Sequence, residues 1–538
     1  MEPIVTVQQM RQLEATADAL GVSYATMMQR AGHAVADALA TLLPDLTNAP
    51  VLILIGPGNN GGDGLVAAVA LAQMGAIPKC YFLAPPDEDN PQVQAARTAN
   101  LFIADFKNDL QQRVLKHLVA SADAIIDALF GTGLRLPLRQ APANLLRTVH
   151  NRLKDRPIPP VILAVDCPTG LDCDTGAVDP HTLTCDLTVT FGAFKPGHFL
   201  FPGADHTGNL RLASIGWPDD LPGLTDIPAF VPDDADIAAR LPRRPLNSHK
   251  GTFGRALAVA GSVNYTGAAY LAASAAYRAG AGLVTLATPP DLHPALAGVL
   301  PEVTWLLLAS DMGVLARAAA DQVRAALPAY DALLLGPGWG SEHPTAEFLS
   351  TLLTTASPPR AIGLLGSTTA TASPAPLPPT VVDADGLRLL AQLPNWPSLL
   401  PALAILTPHP GEMAALTGLT PAQIQADRLN LARQFAAEWG HVIILKGAFT
   451  VVAAPTGQTA VLPFANSALA TAGTGDVLAG LCLGFLAQGL PAFDAALCAG
   501  YLHALAGEIA TDALGHPAPV LARDLLTAFP DALTTVLE

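Results

Sequence analysis

ATAGTGDVLAG, Ala470 to Gly480, is a glycine-rich turn running straight into an apolar helix, with a single acid at the junction. Gly473 and Gly475 let the backbone turn tightly. Successive N–H groups and the positive end of the helix VLAGLCLGFLAQG then converge on one point, which makes an anion site. A carboxylate there, Asp476, is placed to take a proton from a substrate hydroxyl beside a bound phosphate; taken alone, it could as well cap the helix.

Outward from that turn, the second half of the chain alternates strands and helices. HVIILKGAFTVVAAPTG reads as a strand pair around a Lys-Gly turn, AILTPHPGEMAAL as a strand presenting His409, and TVVDADGL as a strand with Asp383 and Asp385 at its end. YDALLLGPGWG is a strand ending in small residues, and GRALAVAGSVNYTGAAYLAASAAYRAGAGLVTLATP reads strand, turn, helix, strand, the helix closed by Gly280. Such alternation predicts an α/β fold with a mainly parallel sheet covered by helices on both faces. No Gly-Lys-Ser or Gly-Lys-Thr occurs, so a nucleotide would be held without a Walker loop.

The first half has the same grammar. Two helices are predicted between Thr6 and Leu43, then a buried strand VLILI, a Gly/Asn loop, and a crossover helix LVAAVALAQMG. Gly56, Gly58 and Gly61 satisfy G-x-G-x-x-G, but no acid ends the second strand, where Asp87 lies beyond two prolines, and Asp63 puts a negative charge into the loop. Further strands end in Asp127 and in Asp166 with Thr169. One sheet edge therefore collects Asn60, Asp63, Asp127, Asp166 and Thr169, an oxygen set suited to a hard cation. Lys195, in TFGAFKPG, could neutralise a substrate phosphate, orient the acid, or simply lie on the surface.

Composition narrows the function classes. The chain has 538 residues, enough for two to four domains, and 51% of them are apolar. Its net charge of -16 argues against a nucleic-acid partner. Six scattered cysteines, with no CxxC pair, fit free buried thiols rather than disulfides or zinc. The N-terminus lacks a signal-peptide core, and the uncharged run Val477 to Phe493 is interrupted by Gly, Gln and Pro, so no membrane partner and a cytoplasmic location are expected. The Pro- and Asp-rich stretch from Ile215 to Pro245 reads as a domain join, with the boundary placed near Leu221 and its end AFVPDDADIAARLP as an edge strand and short helix of the next unit. Thr355 to Thr380 is low in complexity and reads as a surface insertion.

GPGNNGGDGLVAA, DALFGTGL, DCPTGLD and TFGAFKPG, in this order, resemble the NAD(P)H-hydrate epimerase family. The resemblance implies a Rossmann-like α/β/α sandwich over residues 1–221 that interconverts the R and S epimers of hydrated NADH or NADPH. It implies K+ held by Asn60, Asp127 and Thr169, and substrate contacts from Asn59, Asn60, Gly61, Gly62 and Asp63, from Gly131, Thr132, Gly133, Leu134, Arg135, Leu136 and Pro137, and from Asp166, with Asp166 and Lys195 in catalytic positions. Gln29 stands where the family usually has an acid, and Thr169 where Ser is more usual.

SHKGTFG, NYTGAAYLAA, GAGLVT, GPGWG, DADGL, TPHPGE, LKGAFT and AGTGDVLAG resemble the ADP- or ATP-dependent NAD(P)H-hydrate dehydratases, a group of ribokinase-like α/β proteins. For residues 222–538 this implies that Lys446, Gly447, Ala448, Phe449, Thr450 and Gly475 hold ADP or ATP with Mg2+. Ala268, Gly338, Gly340, His409 and Asp476 would contact the hydrated nicotinamide, with Asp476 as the base. Ser467-Ala468 and Arg388 depart from the family pattern. A homo-oligomer is expected. Two rival readings are a kinase of a vitamin precursor or sugar in the second half, and a non-catalytic scaffold in the first.

Overall fold

The computed structural model describes residues 1–354 and 376–538. The expected insertion, Thr355 to Thr380, lies outside the described residues up to position 375. The chain folds as two compact units, Glu2–Ala229 and Phe230–Glu538. The division falls later than Leu221 because Leu221, Leu224 and Ile227 all pack into the core of the first unit.

The first unit is built on seven parallel strands: β1 (Pro50–Ile55), β2 (Ile77–Phe82), β3 (Phe102–Asp105), β4 (Ala124–Ala128), β5 (Val161–Val165), β6 (Leu187–Phe191) and β7 (Asn209–Ala213), in the order β3-β2-β1-β4-β5-β6-β7. Alternate residues of β1 serve opposite faces. Val51, Ile53 and Ile55 join the core under helices Val7–Ala19, Tyr24–Leu42 and Asn59–Gln73, while Leu52 and Leu54 join the core under Arg113–Ser121 and Gln140–Lys154. With both faces buried, the strand has to be apolar throughout, which is why VLILI shows no alternation. The result is the expected Rossmann-like α/β/α sandwich.

One expectation is corrected here. NNGGDG is not a loop but the first turns of the crossover helix, which begins at Asn59, straight after Gly58. Small residues allow it: a Cβ on Gly56 would sit 1.6 Å from the Leu129 carbonyl oxygen, and one on Gly61 would sit 2.0 Å from the Gly56 carbonyl. Asn60 and Asp63 are thereby fixed on a helix end rather than on a mobile loop. Gly56→Ala should therefore destabilise the first unit by several kcal/mol, lowering its unfolding temperature by about 10 °C. Thermal unfolding followed alongside the second unit's chemistry checks this, and that chemistry should persist.

The second unit carries β8 (Arg255–Val259), β9 (Leu283–Thr288), β10 (Thr304–Leu307), β11 (Ala332–Leu335), β12 (Thr380–Val382), β13 (Ile405–Leu406), β14 (Val442–Leu445), β15 (Val451–Ala453) and β16 (Thr459–Val461). They run in the order β16-β15-β14-β13-β12-β11-β8-β9-β10, parallel from β10 to β14, with β15 and β16 antiparallel beyond β14. Again one strand feeds two cores: Ala256 and Ala258 face one, Leu257 and Val259 the other. This is the ribokinase-like α/β arrangement expected. Helix Thr474–Ala487 lies against helix Thr266–Arg278 closely enough that a Cβ on Gly480 would meet the Ala272 carbonyl at 2.3 Å. The uncharged run after Val477 is split by Gln488 to Pro491 into two helices, and among the described residues no helix is long and apolar enough to cross a membrane.

Candidate functional site

Each unit gathers its polar residues at the carboxyl ends of its parallel strands, where an open α/β sheet presents its crevice. In the second unit, β12 runs out into Asp383, β13 into Thr407 and His409, and β14 into Lys446. The Lys446 ammonium lies 2.7 Å from Asp383 Oδ1 and 3.6 Å from Glu412 Oε2, while the Thr407 hydroxyl donates to the same Asp383 oxygen at 2.6 Å. Burial works against the charge of Lys446, but Asp383 and Glu412 outweigh it and hold the ammonium above its ordinary value.

Asp476 stands in the first turn of helix Thr474–Ala487, behind Gly473 in the left-handed conformation. It does not cap the helix: the turn makes no side-chain cap, and among the described residues no hydrogen bond or ion pair is recorded for the Asp476 carboxyl. Burial first, and the neighbouring Asp383 next, push Asp476 up to about 7 against the pull of Lys446. A carboxyl left unengaged and titrating near neutrality is matched to general-base work. The Lys446 Nζ is 3.4 Å from where a Cβ on Gly475 would be, so the lysine and the glycine turn share one site.

The other expected residues are brought to this edge. A Cβ on Gly338 would meet the Ala268 methyl at 2.6 Å, and the Gly340 amide donates to Asp385 Oδ2 at 2.9 Å. Gly447 and Phe449 both take positive φ, and the Thr450 hydroxyl closes the turn onto the Gly447 carbonyl at 2.7 Å, leaving Ala448 exposed at its tip. His409 has two roles at once. Its Nδ1 accepts from the amides of Gly411 and Glu412 as the cap of helix Pro410–Thr417, which assigns the proton to Nε2, 3.2 Å from Glu412 Oε1. Its ring stays half-open to solvent.

In the first unit, Lys195 is not a surface residue but wholly buried, 2.5 Å from Asp166 Oδ1 and 2.7 Å from the Thr190 hydroxyl. Burial alone would raise Asp166; the charge of Lys195 overrides it and holds the carboxyl below its ordinary value. Asp63 is the opposite case: burial, then Asp166 and Glu14, drive it well above the usual carboxylate range. The two acids are therefore pushed apart, Asp166 toward its ionised form and Asp63 toward its protonated one. Pairs of acids split in this way are what proton transfer in two directions requires.

Beside them, Asp127 is fully buried and accepts from the Thr169 amide at 2.8 Å and the Thr169 hydroxyl at 2.7 Å. Asn60 Nδ2 is buried with no partner among the described residues. Gly131 closes the set, since a Cβ there would lie 2.9 Å from Asn60 Oδ1 and 3.1 Å from Asp166 Oδ2. In the rest of that segment, Gly133, Arg135 and Pro137 are exposed, and Leu134 packs toward the opposite core. A cavity of about 340 Å³ opens over Asn59 and Asp63, bounded by Glu14, Tyr24, Met28 and Ile215.

Sequence reasoning missed Glu14, Thr190, Thr407 and Arg428. Glu14 carries no motif and reaches the cavity from a helix more than forty residues upstream of Asp63 in sequence. Thr407 had a signal, because it immediately precedes the Pro-His-Pro that ends β13. Two of the six cysteines are not scattered in space: the Cys167 and Cys173 sulfurs are 2.6 Å apart, with His198 Nε2 3.2 Å from Cys167.

Comparison with known proteins agrees with both resemblances. A family model described as NAD(P)H-hydrate dehydratase matches residues 256–530, and one described as YjeF-related protein N-terminus matches residues 24–197. The bifunctional NAD(P)H-hydrate repair enzyme Nnr of Moorella thermoacetica is 36% identical over 544 residues, covering 99% of this chain and 97% of that protein. The enzyme of the same name from Escherichia coli K12 is 33% identical, covering 95% and 90%. A Bacillus subtilis ADP/ATP-dependent NAD(P)H-hydrate dehydratase, co-crystallised with ATP and Mg2+, aligns at 32% identity with a TM-score of 0.46, over 56% of this chain and 97% of that one. This chain belongs to the family of bifunctional NAD(P)H-hydrate repair enzymes.

Proposed function

We propose that the first unit interconverts the R and S epimers of hydrated NADH and NADPH, and that the second dehydrates the S form at the expense of ADP or ATP, releasing AMP or ADP and phosphate. The observation that carries the reading is the state of Asp476: half-buried at the mouth of an amide-lined turn, engaged by no partner among the described residues, and pushed up to about 7. Asp476 takes the proton of the ring hydroxyl as that oxygen attacks the terminal phosphoryl group. The hydroxyl becomes a phosphate ester, the ring nitrogen's lone pair expels phosphate, and loss of a ring proton restores the dihydronicotinamide. Amides of the Gly473 to Asp476 turn face the charge that builds on the moving phosphoryl group.

The turn from Lys446 to Thr450, with Gly475, takes the nucleotide, and Ala268, Gly338, Gly340 and His409 border the nicotinamide. Mg2+ would reach the site on the nucleotide's phosphates; among the described residues no cluster of three or more His, Cys, Asp or Glu side chains is disposed to hold a metal by itself. In the first unit, Asp166, held toward its charged form by Lys195, is the candidate base, and Asp63, pushed toward its protonated form, the candidate proton donor. K+ fits beside them. Asp127 is a buried carboxylate that no Lys, Arg or His pairs with among the described residues, and Asn60 and Thr169 add neutral oxygens of the kind a hard monovalent cation takes. Thr169→Val should slow epimerisation on the order of 10- to 100-fold and erase its response to exchanging K+ for a bulky organic cation. Rates in the two salts check this.

Mixing the purified chain with hydrated NADH, ADP or ATP, and magnesium, and following the return of reduced-nicotinamide absorbance, tests the whole reading. Phosphate left attached to the substrate would instead make the second unit a kinase.

A further inference from the structure

Arg428 opens helix Arg428–Trp439 and is buried at 5% exposure beneath the Lys-Gly turn. Its Nη2 donates to the carbonyls of Leu445 at 2.8 Å and Lys446 at 3.3 Å, and its Nη1 to the Gln425 side chain at 2.5 Å. Its Nε has no partner, and no ion pair among the described residues includes it. A guanidinium taken out of water normally finds a carboxylate. Burial alone accordingly pulls its pKa down to about 10, still well inside the charged range at neutral pH. Lys446, the cation that the sequence puts forward for the nucleotide, is by contrast matched twice over, by Asp383 and by Glu412. The turn's uncompensated positive charge is thus the one below it. Gly447 lies directly on that charge: a Cβ there would come within 2.8 Å of Arg428 Nη1, which with φ of 144° explains the glycine at this position.

We infer that Arg428 is a positioning residue of the dehydratase unit, which shapes the Lys446 to Thr450 turn through its carbonyls and supplies the positive charge for the nucleotide's phosphates that Lys446, already neutralised, does not. This rests on the reading of that turn as the nucleotide site.

Calorimetric titration of ADP, AMP and adenosine into the full chain tests it, in wild type, Arg428→Met and Arg428→Lys. Arg428→Met should lose about tenfold or more in ADP affinity, less for AMP, and under about twofold for adenosine, while Arg428→Lys keeps most of the ADP affinity. In steady state, KM for the nucleotide should rise and KM for the hydrated dinucleotide should not. A folded Arg428→Met that binds ADP within about twofold of wild type overturns the inference, as does an equal loss for adenosine, which would mean a purely structural role. If Arg428→Met does not fold, Arg428→Gln decides: a loss of about tenfold confined to the phosphorylated ligands supports the inference, and wild-type affinity for ADP overturns it. Wild-type protein that binds no ADP would instead sink the nucleotide-site reading itself.

Discussion

Asp476→Asn should abolish dehydration, by about two to four orders of magnitude, while epimerisation continues at the wild-type rate. Asn keeps the size of the side chain and its place in the first helical turn, so the amides of the Gly473 to Asp476 turn stay where they are; only the proton acceptor is lost. The pH dependence separates this from a packing defect. Because Asp476 is pushed up to about 7, the wild-type rate should climb as the carboxyl ionises and level off above neutrality, and that rising limb should be missing from the residual activity of the variant. Stability should move the other way. A carboxyl raised from 3.8 to about 7 keeps its proton longer in the folded chain than in the unfolded one, so wild type loses stability as pH rises through that interval. Asp476→Asn, which has nothing to titrate, should be the more stable protein above it. Rates and denaturation curves across that range check both signs. A variant that dehydrates as fast as wild type would remove the base from the mechanism and leave the turn as a binding element only.

That carboxyl was legible in the sequence because the turn that places it is local, although the Asp383 charge that helps to raise it comes from a distant strand end. Gly473, Gly475 and the apolar helix after them fix the turn within a few residues, and burial of the helix carries the acid inward with it. The strand ends at Asp127 and Asp166 were legible for a related reason: a buried parallel strand is a continuous apolar run, so a single acid at its end stands out. Where sequence alone fell short, the deciding contact is made across the fold. NNGGDG reads as loop because Asn and Gly favour turns, yet it is helix from Asn59 on, packed so tightly that Gly56 and Gly61 have no room for a side chain. Lys195 could meet a phosphate, orient an acid or lie on the surface until Asp166 and Thr190 are found to enclose it, and Lys446 reads as a free phosphate ligand until Asp383 and Glu412 are found to hold it already. The join itself was legible to within about ten residues, and its exact end was not, since a Pro- and Asp-rich stretch can still lay Leu221, Leu224 and Ile227 onto a core.

Asp166→Ala should do to epimerisation what Asp476→Asn does to dehydration, and its signature is a plateau. Supplied with both epimers and nucleotide, wild-type protein should return all the hydrated cofactor to the reduced form, because each S molecule consumed is replaced from the R pool. The variant should consume the S share at the normal rate and then stop, continuing only as fast as the epimers interconvert unaided. Asp166 is the group to remove because it is the ionised acid of its site. Lys195 donates to it at 2.5 Å and Thr190 at 3.0 Å, and its φ of 65° aims the carboxyl from a backbone conformation that few non-glycine residues adopt. Taking it away leaves the Lys195 charge buried without its partner, which costs about 3–5 kcal/mol. Part of the lost activity could then be lost fold. Asp166→Asn resolves this, since the amide oxygen can still accept from Lys195 and Thr190 but no longer accepts a proton in catalysis. Its melting curve should stay nearer wild type while its plateau matches that of the Ala variant. A folded Asn variant that still drains the R pool would show that Asp166 positions Lys195 rather than moving the proton, and would leave the buried ammonium itself as the group that does.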